Sequence, residues 1–332
     1  MADDVWILAE QCGGRLLPVS FELCRWGRGV ADALGVRLAA VVLGAELSDG
    51  ELDQLVRRGA DCVYCAEHRA LERFRPEPFQ RVLMDLIRRE RPDVVLAAAT
   101  STGRTLMPYM AARLEVGLTA DCTELSIEEE SGHLLQTRPA IGGNIMATIK
   151  SDRRRPQMAT VRPHSVAPAA EEEGRAGEIV RLKPSEEQVA SRVLIESVQS
   201  SADEGASLKD ADVVVSVGRG IKKAENIGLV RELADQLGAA LGASREVVDR
   251  GWLPYPHQVG LSGKTIRPRL YLAVGVSGAI QHLAGMQTAE TIIAINSDPD
   301  APIFQVADLA VVGDLFRIVP GLIEQLRRRG RG

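Results

Sequence analysis

The sequence predicts an α/β protein with an N-terminal α/β domain and a C-terminal domain built on a doubly wound parallel sheet. The chain has 332 residues, more than the roughly 250–300 at which one hydrophobic core stops growing. Apolar strand-like runs alternate with helix-like runs in both halves. Between the halves, residues 197–210 are polar and lack an apolar period, as is typical of a linker. We therefore expect domains at residues 1–196 and 211–332.

The first half begins with the strand-like run VWILAE, a helical stretch around residues 25–34, the strand VRLAAVVLG and a helix near residues 52–58. The amphipathic run PFQRVLMDLIRRERP then leads into DVVLAAAT, whose small and β-branched residues suit a strand buried on both faces. In the next segment, Gly103 can form a tight turn, and we expect Pro108 in the first turns of the following helix. Ordinary βα packing is favoured over phosphate binding there, because the loop has neither a Lys-Ser/Thr pair nor GxGxxG.

Residues 134–162 complete the predicted first domain. They have strand-like patterns, and the string TRPAIGGNIMATI holds two adjacent glycines. Paired glycines in strands mark bulges or close backbone contacts. We expect these strands to complete the sheet of the first domain.

The second half opens with ADVVVSVGRGI, a buried strand that runs into a glycine turn. A helix is predicted next over NIGLVRELADQLGAAL, where leucines recur every four residues up to Leu241. The unit repeats in RLYLAVGV with SGAIQHLAGM, in TIIAIN, and in LAVVG with DLFRIVPGLIEQL, and we expect a helix to open at Ser277. Open α/β sheets place their ligands at the carboxyl ends of such strands.

Composition excludes several classes of protein. A net charge of −5 argues against nucleic-acid binding, which needs a concentrated positive face. No apolar run reaches the ~18–20 residues of a membrane-spanning helix, and the N-terminus carries two aspartates where a secretory signal would be positive. We expect a cytoplasmic protein that is not inserted in a membrane.

The cysteines give no sign of a disulfide framework or a metal site. There are five of them, an odd number that is typical of a reducing compartment. Cys62 and Cys65 form a CxxC, but their segment alternates like a strand, which would direct the two side chains to opposite faces. No second CxxC occurs in the sequence, so an iron–sulfur ferredoxin module is excluded.

Polar and cationic residues follow the predicted strands of the second domain, where they would line one edge of the sheet. They are Arg219, Ser244, Arg245, Ser262, Ser277, His282, Asn296 and Asp314. Glycines in the same turns would let the backbone approach a ligand, and a helix start offers free N–H groups to a pyrophosphate. Glycine turns also serve packing in any doubly wound domain, so dinucleotide binding and plain packing both remain open.

The strings of the second domain, taken together, resemble the FAD domain of the electron transfer flavoprotein alpha subunit. The resemblance rests on GASREVVDRGWLP, HQVGLSGK, SGAIQHLAGM and AINSDPDAPIFQVAD, and it covers residues 211–326. The first domain is similar more loosely, in LEVGLTADCTEL and TRPAIGGNIMATI, to the family's N-terminal domain, which packs against a beta subunit and binds no cofactor.

The resemblance implies an FAD site in the C-terminal domain. Where the family commonly has QVGQTGK, this chain has QVGLSGK. Ser262 keeps the hydroxyl that the family uses toward flavin N5, whereas Leu261 offers no polar group. The implied cofactor-binding residues are Arg219, Ser244, Arg245, Gln258, Val259, Gly260, Leu261, Ser262, Ser277, Gly278, Ala279, Ile280, Gln281, His282, Asn296, Asp314 and Leu315.

The resemblance also gives individual roles. His282 would face flavin O2 and Arg245 would lie over or beside the isoalloxazine ring, where a cation or donor stabilises the negative charge that reduction places on the N1–C2=O edge. Asp314 and Leu315 would lie at the adenosine end. The alternatives are a structural role for His282, an ion pair of Arg245 with a neighbouring carboxylate, and turn or helix capping by Asn296 and Asp314.

For function, the resemblance implies one chain of a heterodimer with an electron transfer flavoprotein beta subunit. Two modes exist: a carrier from acyl-CoA dehydrogenases to a quinone oxidoreductase, and a bifurcating type that uses NADH and a second FAD to reduce ferredoxin. GLTADCTEL, RPAIGGNIMATI and QVGLSG resemble the bifurcating branch more closely. We expect no catalytic acid or base, and redox activity only with the partner proteins.

The sequence leaves two alternative functions. An NAD(P)-dependent dehydrogenase lacks support, because no GxGxxG with an acidic residue some 20 positions on is present. A non-redox subunit that holds nucleotide structurally is the second alternative. The flavin colour of the protein purified with its partner separates these functions.

Overall fold

The computed structural model describes residues 4–140, 145–198, 208 and 211–329. The chain divides into two compact units, residues 1–198 and 199–332. Both units are α/β with parallel sheets, as the sequence predicts. Most of the predicted linker at residues 197–210 lies outside the described residues, so its assignment stays a prediction.

The first unit alternates strands and helices along most of its length. Its helices are α1 (Pro18–Leu34), α2 (Asp49–Arg57), α3 (Pro76–Glu90), α4 (Ser101–Leu114) and α5 (Glu186–Val189). Its strands are β1 (Val5–Ala9), β2 (Gln11–Cys12), β3 (Arg15–Leu16), β4 (Leu38–Gly44), β5 (Cys62–Glu67), β6 (Val94–Ala98), β7 (Leu118–Cys122), β8 (Glu124–Ile127), β9 (Leu134–Pro139), β10 (Met146–Lys150), β11 (Gln157–Val161) and β12 (Glu178–Leu182).

Seven of these strands form a parallel sheet in the order β12-β5-β4-β1-β6-β11-β7. Alternate residues of each central strand enter two different apolar cores, one on each face of the sheet. Cys62 belongs to one core and Cys65 to the other. The predicted strand through the CxxC is therefore correct, and its two thiols do not face each other.

The prediction that residues 134–162 complete this sheet is only partly correct. β11 does join it, between β6 and β7, but β9 and β10 form a separate antiparallel sheet with β8. The short connections between β8, β9 and β10 explain the difference, because neighbouring parallel strands need a crossover of a dozen or more residues. The paired glycines, Gly142 and Gly143, lie outside the described residues.

Helix α4 starts earlier than the sequence suggests. The Thr100 hydroxyl accepts a hydrogen bond from the Gly103 N–H at 3.1 Å, so Thr100 caps the helix and Gly103 lies inside its first turn rather than before it. Pro108 is consequently the eighth residue of a helix that runs from Ser101 to Leu114, about two turns from its start. A Cβ on Gly103 would stand 1.8 Å from the carbonyl oxygen of Ala98. The glycine lets α4 pack tightly against the end of β6.

The second unit is a doubly wound parallel sheet, confirming the predicted fold class. Its sheet order is β14-β13-β15-β16-β17, with apolar cores on both faces. The strands are β13 (Val213–Val217), β14 (Ala240–Ala243), β15 (Leu270–Val274), β16 (Ile292–Asn296) and β17 (Leu309–Val312), and the helices are α6 (Ile227–Leu237), α7 (Arg245–Asp249), α8 (Ile280–Leu283) and α9 (Leu315–Arg329).

Two helix predictions in this unit are wrong at their boundaries. Gly238, at φ 60°, ends α6 in a left-handed cap, so Leu241 lies in strand β14 instead of on the leucine face of the helix. The helix expected to open at Ser277 begins only at Ile280 and is four residues long. Gly278, at φ +87°, holds the preceding loop outside a helical conformation.

In the part of the chain that the structure describes, no helix combines the length and the apolar character needed to cross a membrane.

We predict that Gly103→Ala destabilises the first unit by about 2–3 kcal/mol, because the new methyl group overlaps the backbone of β6 and overpacking has costs of this size. Gly29→Ala is the matched control. Gly29 lies within α1 and has nothing within 4 Å of its Cβ position, so the change should stabilise by up to about 1 kcal/mol. Urea unfolding of both variants tests this; a stabilising effect of Gly103→Ala would contradict the packing described.

Candidate functional site

A cleft of about 490 Å³ opens at the carboxyl end of the second unit's sheet. It lies beside the ends of β13 and β15, neighbouring strands whose chains continue to opposite sides of the sheet. Such a switch point is where doubly wound sheets bind ligands. The cleft is lined by Arg219, Ser244, Arg245, Glu246, Asp249, Val259, Gly260, Ser262, Val276, Ser277, Gly278, Ala279, Gln281 and His282.

Glycines in the two loops at the switch point allow close backbone packing. A Cβ on Gly218, just after β13, would lie 2.2 Å from the carbonyl oxygen of Gly275, just after β15. Gly278 is equally constrained, since its Cβ would lie 2.2 Å from the amide nitrogen of Ile303. Packing between loops, the alternative left open by the sequence, therefore explains these glycines, and it also fixes the walls of the cleft.

His282 lines the cleft but is only 6% exposed. Its Nε2 lies 2.8 Å from the hydroxyl of Tyr271, while its Nδ1 is buried without a hydrogen-bond partner. Burial lowers the pKa of His282 to about 4, although the backbone of Val259 acts in the opposite direction. The imidazole is therefore neutral at pH 7. The sequence allowed His282 to act toward a ligand either as a cation or as a hydrogen-bond donor, and a neutral imidazole can act only as the donor.

Ser262 is held by a hydrogen-bonded loop. The side chain of Gln258 donates to Ser262 Oγ at 3.0 Å, and the Tyr255 hydroxyl donates to the Ser262 carbonyl at 2.8 Å. Gln258 itself is buried and does not line the cleft. Because Gln258 donates to the oxygen, the Ser262 hydroxyl proton can be donated to an acceptor in the cleft. Leu261 is 55% exposed and lies outside the lining.

Arg245 occupies the rim of the cleft on the short helix α7. Its side chain is exposed, and its Nε lies 3.2 Å from Asp249 Oδ2. One turn further, Arg250 pairs with Glu246 at 2.7 Å. Exposed pairs of this kind contribute little to stability. The guanidinium of Arg245 therefore makes the expected ion pair and still lies beside the cleft.

The remaining predicted residues have local roles. Asn296 Oδ1 accepts from the Asp298 N–H at 3.0 Å and Asp314 Oδ1 accepts from the Phe316 N–H at 3.0 Å, as the capping alternatives anticipated. Asn296 Nδ2 also donates to the Val276 carbonyl at 2.8 Å. Leu315 is buried in the core, and Ile280 is 45% exposed. None of these four side chains lines the cleft; any contact they make with a bound ligand remains a prediction.

The cleft thus brings together eleven of the predicted residues and adds three that the prediction lacked. The eleven are Arg219, Ser244, Arg245, Val259, Gly260, Ser262, Ser277, Gly278, Ala279, Gln281 and His282. The additions are Glu246, Asp249 and Val276. The sequence suggested Glu246 and Asp249 only as ion-pair partners of Arg245. The four-residue spacing that places Asp249 beside Arg245 on a helix could have indicated that Asp249 also lies at the cleft.

Two family models match the chain. The electron transfer flavoprotein domain matches residues 5–187, and the electron transfer flavoprotein FAD-binding domain matches residues 207–287. All residues that line the cleft lie within the second match.

Similar whole proteins carry related names. The electron transfer flavoprotein subunit alpha of Thermoanaerobacterium thermosaccharolyticum is 46% identical over 98% of this chain and 98% of its own length. Protein FixB of Clostridium saccharobutylicum is 44% identical, over 97% of this chain and 96% of its own. The acryloyl-CoA reductase electron transfer subunit beta of Anaerotignum propionicum is 41% identical, over 98% and 95%. The similarity therefore extends over both units.

Acidification should destabilise the second unit through His282. Its pKa is about 4 in the folded chain against the ordinary 6.5, so between these values the unfolded chain binds more protons and stability falls as the pH falls. The loss should reach about 3 kcal/mol near pH 4.

The test compares urea unfolding at pH 7 and pH 4.5 in the wild type and in His282→Gln, which keeps a polar partner for Tyr271 but does not titrate. The variant should lose less stability on acidification. His68→Gln, in the first unit, is the control. Equal pH dependence in the wild type and His282→Gln would show that His282 is not buried as a neutral group.

Proposed function

Because this chain belongs to the family of electron transfer flavoprotein alpha subunits, we propose that the cleft at the ends of β13 and β15 holds the isoalloxazine ring of its FAD. FAD is the cofactor of the family's second domain. The observation that carries the proposal is that His282 lines this cleft while its buried Nδ1 has no hydrogen-bond partner in the described part of the chain. A buried polar atom without a partner is rare, and a bound ligand supplies one.

The donor set of the cleft fits FAD. Ser244, Ser262 and Ser277 offer hydroxyls, and Arg219 and Arg245 offer positive charge at the rim. A flavin presents ring nitrogens and carbonyl oxygens as acceptors, and the pyrophosphate of FAD carries negative charge. When bound, FAD supplies the one- and two-electron redox chemistry of the chain.

Each residue then has a physical task. The Ser262 hydroxyl, oriented by Gln258, donates to flavin N5. His282 donates from Nδ1 to flavin O2 as a neutral group, and Arg245 adds a cation beside the same ring. Fixed donors and charges of this kind favour the reduced, more negative ring, because they need no rearrangement when the charge appears.

The partners follow from the same proposal. The chain pairs with an electron transfer flavoprotein beta subunit and relays electrons between a dehydrogenase and a second redox protein. The name of the 41% identical relative from Anaerotignum propionicum, an electron transfer subunit of acryloyl-CoA reductase, supports an acyl-CoA dehydrogenase-type flavoprotein as the dehydrogenase.

For the mode of electron transfer, we favour bifurcation, with NADH as electron donor and ferredoxin as one acceptor. Three sequence strings favour this mode: GLTADCTEL around β7, RPAIGGNIMATI around β9 and β10, and QVGLSG in the loop that carries Ser262. The alternative is the ordinary carrier that delivers electrons to a quinone oxidoreductase.

Counting flavins separates the modes. We predict two FAD per heterodimer with the beta subunit for the bifurcating mode and one for the ordinary carrier. Gly278→Ala should remove one FAD in either case, because the added Cβ would overlap Ile303 and φ is +87°. Gly228→Ala, on α6 with nothing within 4 Å of its Cβ position, should keep the full number. A folded wild-type heterodimer without FAD would refute the proposal.

Arg245 at the start of α7 and Arg250 just after its end provide a paired test of the rim charge. Arg245→Ala should lower the two-electron midpoint potential of the bound FAD by about 15–30 mV. This shift corresponds to a threefold to tenfold fall in the protein's affinity for reduced FAD relative to oxidised FAD. Arg250, the residue after the end of α7, pairs with Glu246 but does not itself line the cleft, so Arg250→Ala removes a guanidinium outside the lining and should change the potential less than Arg245→Ala. Equal shifts in both variants would contradict a specific role for Arg245.

A further inference from the structure

A buried tyrosine holds the imidazole of His282 from the side of the sheet. Tyr271 lies on β15 and is fully buried. Its hydroxyl lies 2.8 Å from His282 Nε2, and the two rings are tilted by 56° with centroids 6.2 Å apart. Tyr271 does not line the cleft, so it acts on a ligand there only through His282.

The direction of this hydrogen bond decides what His282 can do. If Tyr271 donates its proton, Nε2 is the acceptor and the imidazole proton stays on Nδ1. If Nε2 carries the proton, Nδ1 is a bare lone pair. The two nitrogens of a neutral imidazole always divide these roles, and the partner of one fixes the role of the other.

Two observations favour donation by Tyr271. Tyr271 is fully buried, so its hydroxyl proton needs an acceptor, and Nε2 of His282 lies 2.8 Å away. Burial raises the pKa of Tyr271 and Ser216 lowers it, as a side chain that donates to the tyrosine oxygen does, which leaves the hydroxyl proton for Nε2. The backbone of Val259 raises the pKa of His282 against the effect of burial, which favours a proton on the nitrogen that Tyr271 does not occupy, although that nitrogen makes no hydrogen bond to Val259. The remaining nitrogen, Nδ1, therefore suits a donor better than a lone pair.

We propose that Tyr271 is a positioning residue that donates its hydroxyl proton to His282 Nε2 and so fixes a neutral imidazole with its proton on Nδ1. The inference rests on the proposed function, in which Nδ1–H is the group offered to flavin O2. A neutral donor stabilises the reduced flavin without the cost of burying a cation. Without the tyrosine hydroxyl the imidazole can exchange tautomers, and part of the population presents a lone pair to the flavin oxygen.

The test uses the FAD-loaded heterodimer and the variant Tyr271→Phe. In the variant, the affinity for reduced FAD relative to oxidised FAD should fall threefold to tenfold. The two-electron midpoint potential of the bound FAD then falls by about 15–30 mV. Tyr64→Phe, at a buried tyrosine of the first unit, is the matched control and should leave the potential unchanged.

A double-variant cycle separates positioning from general packing. On a His282→Ala background, Tyr271→Phe should cause no further fall in the potential, because the tyrosine acts only through the imidazole. A fall of the same size on both backgrounds, or an unchanged potential in the single variant, would overturn the inference while leaving the FAD site intact.

Nitrogen NMR of ¹⁵N-histidine-labelled wild-type heterodimer gives an independent readout that does not need the variant to fold. The His282 ring should show a protonated Nδ1 and an unprotonated Nε2. The opposite pattern would overturn the inference. A heterodimer that binds no FAD at all would instead refute the proposed function, so the two failures are distinguishable.

Discussion

The divergence of the chain at β13 and β15 is the constraint on which the rest of the second unit depends. These strands pair side by side, but β13 continues toward β14 at one edge and β15 toward β16 and the opposite edge. No helix can cover the point where the connections separate, so a crevice remains at the carboxyl ends. Gly218 and Gly275 then let the two loops pack backbone to backbone, which gives the crevice fixed walls.

Polar groups in those walls are satisfied in different ways. Ser262 is held by hydrogen bonds from Gln258 and Tyr255. The imidazole of His282 is satisfied on one side only, by Tyr271. Desolvation keeps it neutral, and its second nitrogen lacks a partner. A preformed scaffold that keeps donors available for a ligand suits a tightly held cofactor better than a transient substrate, because it requires little rearrangement on binding.

The sequence predicted the layers of both units and most of the cleft, because strand runs and glycine turns are local signals. It failed at element boundaries and where a distant contact decides the outcome. Gly103 was expected to precede a helix, but the cap at Thr100 places it inside the first turn. The start of α8 at Ile280 depends on Gly278 approaching Ile303, and β9 and β10 left the main sheet because their connections are short. Tyr271 resembles any core residue of a buried strand; only the fold brings its hydroxyl to His282, eleven positions away.

The most direct test of the central claim is a crystal structure of the heterodimer with FAD bound. The isoalloxazine ring should lie in the cleft between the ends of β13 and β15. The distances from His282 Nδ1 to flavin O2 and from Ser262 Oγ to flavin N5 should each be about 3.2 Å or less. A flavin ring bound elsewhere, with His282 Nδ1 in contact only with protein or water, would contradict this assignment.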